Sequence, residues 1–158
     1  MGSRLSVDKA YIAGFLDGDG SLMLQIKKLN TVRGYRFMAT ICLYQDSRHD
    51  ETLYWIRNIL GIGYISKRSD SITELRINGF TTILNILIEL RPFIRFKKIQ
   101  SEAMIKACRI LRNGNRSKLS GKKLLELVNL VLAIQNANYA TRRKKNREEL
   151  LKTLGLTP

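Results

Sequence analysis

Histidine and cysteine are nearly missing from this chain: His49 is the single histidine, and Cys42 and Cys108 are the only cysteines in 158 residues. A lone histidine excludes a multi-histidine metal centre. Two isolated cysteines make neither a metal cluster nor a disulfide framework. Reduced thiols are the default inside cells, so the expected location is intracellular, in cytoplasm or an organelle. No apolar run approaches the roughly 20 residues that span a bilayer, so no membrane is expected as a partner. The N-terminus also lacks the apolar segment of a secretory signal.

Negative charge is scarce too. There are 13 Asp+Glu against 28 Lys+Arg, a formal net charge of +15. An ordinary metabolic enzyme does not carry such an excess. It points to a polyanionic partner, most often nucleic acid. The plainer alternative is a soluble basic surface. The length fits one domain over residues 1–158, with a core that hides roughly two-thirds of the unfolded surface.

Periodicity orders the chain. Ser6 is placed to cap a helix over about Val7–Leu16, which Asp17-Gly18-Asp19-Gly20 ends. The period then changes to two. Leu22, Leu24 and Ile26 share one face of a strand; Met23, Gln25 and Lys27 share the other. A second strand alternates Phe37, Ala39, Ile41 and Leu43 against Arg36, Met38, Thr40 and Cys42. A helix over about Ser47–Leu60 stops at Gly61. Two strands, about Ile62–Arg68 and Ile72–Asn78, are joined by a turn at Ser69-Asp70-Ser71. A helix over Thr81–Leu90 is closed by Pro92. Longer helices follow over Phe96–Asn113 and Ser120–Asn138, the first with Ile99, Ala103, Ala107 and Ile110 as its buried stripe. A basic run from Arg142 to Arg147 precedes a short final helix.

The expected class is α+β, in the order αββαββα plus C-terminal helices, with one four-stranded antiparallel sheet. Its polar face would carry Gln25, Lys27, Arg36, Met38, Thr40, Cys42, Arg68, Glu74, Arg76 and Asn78. Such a face is either solvated or suited to reading base edges in a major groove.

The segment Ile12-Ala13-Gly14-Phe15-Leu16-Asp17-Gly18-Asp19-Gly20 is the most informative. Carboxylates are disfavoured at a helix C-terminus, so two of them there need an offsetting partner, such as a divalent metal beside DNA. An EF-hand does not fit: Leu22 and Lys28 stand where its glycine and glutamate belong. No Walker pattern is present. Ala13, Gly14 and Gly18 would let another backbone approach closely. A partner helix there would bring two sets of aspartates together, able to hold metal and activate water.

These nine residues resemble the LAGLIDADG motif of homing endonucleases. Identity is at Ala13, Gly14, Asp17, Asp19 and Gly20; Ile12, Phe15 and Leu16 are apolar replacements, and Gly18 stands for alanine. The element order agrees over nearly the whole chain, and no second motif occurs. The resemblance is therefore to the single-motif subgroup. It implies a homodimer packed through Ile12, Ala13, Gly14, Leu16 and Asp17, with Asp17 capping and bracing the helix pair. It implies Asp19 as the catalytic metal ligand and the Gly18 carbonyl as a second ligand, with Mg²⁺ or another divalent cation. Gln45 matches a polar site residue. Lys97, or Lys98 one position on, matches the active-site lysine. Arg48 or His49 loosely matches a basic position. The implied reaction is a double-strand break with short 3′ overhangs in a long, pseudo-palindromic DNA site, by an intron-encoded enzyme. Arg142, Arg143 and Lys144 would add backbone contacts. The rivals are an RNA-binding maturase and a DNA-binding regulator without catalysis.

Overall fold

A computed structural model of the chain describes residues 4–31, 34–114, 119–139 and 143–156. Helix α1 (Arg4–Asp19) leads into β1 (Gly20–Lys28) and β2 (Tyr35–Asp46). A 3₁₀ turn (Ser47–His49) and α2 (Glu51–Leu60) precede β3 (Tyr64–Lys67) and β4 (Ile72–Asn78). Helices α3 (Phe80–Leu90), α4 (Lys98–Leu111), α5 (Gly121–Ala137) and α6 (Arg147–Thr153) complete the order. The αββαββα expectation holds. All strand pairs are antiparallel, in the order β1-β2-β4-β3. Leu22, Leu24, Ile26, Ile41, Leu75 and Ile77 point from one sheet face into the core, where α1, α3, α4 and α5 cover them. Each such side chain contributes roughly 1.5–3 kcal/mol by leaving water.

Several boundaries differ from the sequence reading. Helix α1 continues through Gly18 to Asp19 and passes into β1 without a loop. Gly20 permits this: a Cβ there would lie 2.7 Å from the Leu16 carbonyl oxygen. Strand β3 starts two residues late because Gly61 and Gly63 hold φ of +67° and +104° and turn the chain. The helix expected from Ser47 breaks at Asp50. Its carboxylate turns inward to accept from Thr73 Oγ1 at 2.9 Å and to meet Lys67 Nζ at 3.2 Å. The expected stripe of α4 holds at Ala103, Ala107 and Ile110 and is corrected at Ile99, which is 65% exposed; Gln100, Met104 and Cys108 face inward with them. Helices α3 and α5 and strand β1, packed on that side, set the buried face.

Strand β1 lies at the sheet edge, and the C-terminal part of the chain closes it. Asn138 Nδ2 donates to the Leu22 carbonyl and Lys145 Nζ to the Ile26 carbonyl, both at 3.0 Å. Asn146 caps α6 in a reciprocal box with Glu149. Cys42 and Cys108 are both buried and free. Burial pushes the Cys108 thiol up to about 12.

Candidate active site and nucleic-acid interface

The two motif aspartates, one residue apart, meet different surroundings. Asp17 is consumed within its own protomer. Its Oδ2 accepts from the backbone N–H of Arg95 and Phe96 at 2.7 and 3.0 Å, and its Oδ1 from that of Lys97 at 2.9 Å. These amides lead into α4, so Asp17 acts as a cap donated from α1. Of the expectation that Asp17 caps and braces the helix pair, the cap is present, and it closes α4 of the same chain with both carboxylate oxygens engaged there. Asp19, at the last position of α1, is exposed; among the described residues no hydrogen bond or salt bridge engages its carboxylate. Gly18 beside it is exposed as well, and a Cβ on it would meet nothing within 4 Å. An open carboxylate next to helix-terminal carbonyls is a hard-oxygen donor set, which fits Mg²⁺ or Ca²⁺.

Lys97 completes this corner. It is only 4% exposed, its Nζ donates to the Asp17 carbonyl, and it stands 5.4 Å from the Phe96 ring centroid. Burial lowers the affinity of this ammonium for its proton, and the charges of Asp17 and Asp19 oppose that in part. Lys98 is exposed and begins α4. A cavity of about 360 Å³ opens beside Lys97, lined by Gly20, Ser21, Tyr44, Gln100, Asn138 and Tyr139 among others. Sequence reasoning missed Gln100 and Asn138. The signal for Gln100 was a polar amide inside an apolar helical stripe; that for Asn138 was its place at the end of α5. Gln100 Nε2 donates to the Ala137 carbonyl at 3.1 Å, which ties α4 to α5 behind the lysine.

Gln45 sits two residues beyond Leu43, the partner of Gly20, and so at the same end of the sheet as Asp19. Its Oε1 accepts from the Asp46 N–H at 2.8 Å. Arg48 is bound to Asp46 through Nε and Nη2 at 3.0 and 2.9 Å. That bond holds the Asp46 carboxyl well below the usual range. His49 is exposed next to it.

Of the expected helix–helix face, Gly14 is turned outward and the apolar members are corrected. Ile12, Ala13 and Leu16 are buried in the protomer's own core. The outward stripe of α1 is Val7, Tyr11, Gly14 and Gly18, at helical spacing. A Cβ on Gly14 also meets nothing within 4 Å. Tyr11 extends the stripe to α2 through an edge-on contact with Trp55 at 5.3 Å.

The sheet face opposite the helices is polar, but not uniformly available. Gln25, Lys27, Arg36 and Asn78 are exposed, and Met38 and Arg76 are half-buried. Arg68 is exposed and pairs with Asp70 at 2.7 Å. Three candidates are corrected. Cys42 is 0% exposed on the central strand, with Ser21 and Arg76 as its cross-strand neighbours. Thr40 is buried and donates to Asn78 Oδ1 at 2.8 Å. Glu74 is buried and bound to Arg76. On an inner strand, neighbours on both sides cover a short side chain even on the polar face. Tyr64 and Ser66 share this face and were missed, because β3 is too short to show alternation. Arg143 and Lys144 lie exposed past α5, whereas Arg142 lies outside the described residues.

The LAGLIDADG endonuclease family model matches residues 12–102, which takes in the second half of α1, the whole sheet and the start of α4. The DNA endonuclease I-CvuI of Chlorella vulgaris is 27% identical over 147 residues, covering 92% of this chain and 91% of its own length. Its crystal structure in complex with its target superposes with a TM-score of 0.78 at 24% identity, covering 98% of each chain. The DNA endonuclease I-CreI of Chlamydomonas reinhardtii is 29% identical over 142 residues, covering 87% of this chain and 83% of its own length. The structure of the LAGLIDADG meganuclease I-CpaMI bound to DNA superposes with a TM-score of 0.74 at 20% identity; 93% of this chain covers 50% of that one. With a motif whose aspartates stand at the helix end, the αββαββα order and a family match over more than half its length, this chain belongs to the LAGLIDADG family of homing endonucleases.

Proposed function

We propose that this chain works as a homodimer that makes a divalent-metal-dependent double-strand break in a long, nearly palindromic DNA site, with Mg²⁺ as the ion and short 3′ overhangs as the product. The observation that carries this reading is the asymmetry between the aspartates: Asp17 is locked by three amides, while Asp19 stands open beside buried Lys97. Each protomer supplies one Asp19 and one sheet, which is half of a two-strand machine. The fit of this chain to half of I-CpaMI supports that division.

In this reading Asp19 and the Gly18 carbonyl hold the cation at the scissile phosphate. A bound Mg²⁺ supplies Lewis acidity and a water of lowered pKa. Lys97 adds a fixed positive charge next to the phosphate, held in place by the Asp17 carbonyl. The Gln45 oxygen is committed to its own backbone, which leaves its NH₂ to donate toward water or phosphate. Gln25, Lys27, Arg36, Asn78 and Arg76 face the major groove, and Arg143 and Lys144 lie against the backbone.

The test uses a duplex that joins the sequences flanking the gene's insertion point. Purified protein with Mg²⁺ should cut both strands of it within a few base pairs, and chelation should stop the reaction. Binding without any cleavage, with Mg²⁺ present, would sink the nuclease reading and leave the non-catalytic regulator.

A further inference from the structure

One ion pair on the sheet face has both partners aimed at the same surface. Glu74 and Arg76 flank core-facing Leu75 on β4, so both point away from the helices. Arg76 Nε and Nη2 both donate to Glu74 Oε1, at 3.0 and 2.7 Å. Glu74 is 7% exposed, while the Arg76 side chain keeps 32% of its surface open. The register sets Arg76 between Cys42 of β2 and Tyr64 of β3.

A guanidinium offers paired donors along two edges. One is the side edge, Nε with Nη2. The other is the end, Nη1 with the second proton of Nη2. The carboxylate takes the side edge. What remains is an end-on fork of two roughly parallel N–H groups. Guanine O6 and N7 accept such a fork in the major groove.

We propose that Glu74 is a positioning residue. It clamps Arg76 by its side edge, so that Arg76 addresses one guanine in each half-site through its end edge. This rests on the DNA-cleaving reading above. Glu74 does not itself read a base, because it is buried and bound to Arg76. Its carboxylate cancels the arginine's charge, so Arg76 contributes direction and little general attraction to phosphate. It also fixes the arginine before DNA arrives, and less side-chain freedom is lost on binding.

Full-length wild type, Glu74→Gln, Glu74→Asp and Arg76→Lys proteins would each be given duplexes randomised across the half-site, with Mg²⁺, and the bound and cleaved sequences counted. Wild type should demand guanine at one position per half-site, by roughly 5- to 150-fold over other bases. Arg76→Lys should lose that demand at that position alone. Glu74→Gln should lose most of it there, while binding all duplexes at least as tightly, since each protomer sheds a negative charge. Glu74→Asp, with its carboxylate withdrawn by one methylene, should fall between. A Glu74 with a purely structural role would lower melting temperature and cleavage on every sequence and keep the base profile; that result overturns the proposal. Should Glu74→Gln fail to fold, Glu74→Asp decides, and a wild-type profile from it overturns the proposal equally. A wild-type chain that selects no duplex overturns the DNA reading and this inference with it.

Discussion

Asp17 and Lys97 hold each other from both ends: the Asp17 carboxylate accepts the Lys97 backbone N–H, and the Lys97 ammonium donates to the Asp17 carbonyl. The last turn of α1 and the start of α4 therefore move as one piece. Asp19 rides on the first and the lysine on the second.

Asp17→Asn should break that unit. An asparagine has one acceptor oxygen where three amides now find two, and its NH₂ would face N–H donors. Hydrogen bonds to a charged acceptor contribute about 1.5–3 kcal/mol each, so a loss of about 1–3 kcal/mol is expected in urea unfolding. Cleavage should fall further than DNA affinity does, since the lysine is misplaced while the sheet is intact. Unaltered stability would show that the 95–97 amides do not depend on the carboxylate.

Asp19→Asn should leave the fold and DNA binding in place, because no described residue bonds to the Asp19 carboxylate. Removing the metal-holding charge should cost several kcal/mol of transition-state stabilisation, at least about 1,000-fold in rate. Binding and single-turnover cleavage, measured on the same duplex, check this. Undiminished cleavage by the pure variant would move the catalytic role elsewhere.

Gly14 separates the protomer from its assembly. Inside one protomer a Cβ there meets nothing within 4 Å. Gly14→Ala in a lone α1 should then stabilise by about 0.5–1 kcal/mol, from helix propensity alone. If Gly14 faces its copy across the twofold axis, the sign reverses and Gly14→Leu gives a folded monomer without double-strand cleavage. Analytical ultracentrifugation and thermal melts distinguish the outcomes. A dimeric, fully active Gly14→Leu protein would place the contact on another face.

Asp50 supplies a pH signature. The Thr73 hydroxyl, and then Lys67, hold its carboxyl below the ordinary 3.8, against the effect of burial. A folded pKa below the unfolded one gives stability that is fully present above about 3.8 and lost as pH falls through the folded value. Wild type should therefore exceed Asp50→Asn in melting temperature at neutral pH, and the gap should close on acidification below 3.8. A gap that persists into strong acid would mean that the Asn variant suffers from packing and not from lost charge.

The sequence made some of this legible and hid the rest for physical reasons. Alternation in β1, β2 and β4 was readable because one face of each is buried by helices and the other is polar. The open place of Asp19 at the end of α1 was readable because glycines flank it and a carboxylate at a helix C-terminus is out of place. A cap at Asp17 was legible, but the helix it closes was hidden, since its partners lie 78 to 80 residues away in sequence. The inward side of α1 was misread because Ile12, Ala13 and Leu16 are small or apolar, which suits a core and an interface alike. Cys42 was misread because period two assigns a face but says nothing of what neighbouring strands place over it.

The clasp on β1 bears on how far this protein can assemble. An edge strand exposes unpaired carbonyls and amides that another chain can extend. Here Asn138 and Lys145 occupy the Leu22 and Ile26 carbonyls, and the opposite edge, β3, is only four residues long. Neither edge is a ready template for a further strand. A contact at α1 related by a twofold axis closes on itself, whereas sheet extension would propagate without limit. Two side chains borrowed from the C-terminal segment thus guard the edge of β1 against growth into fibres.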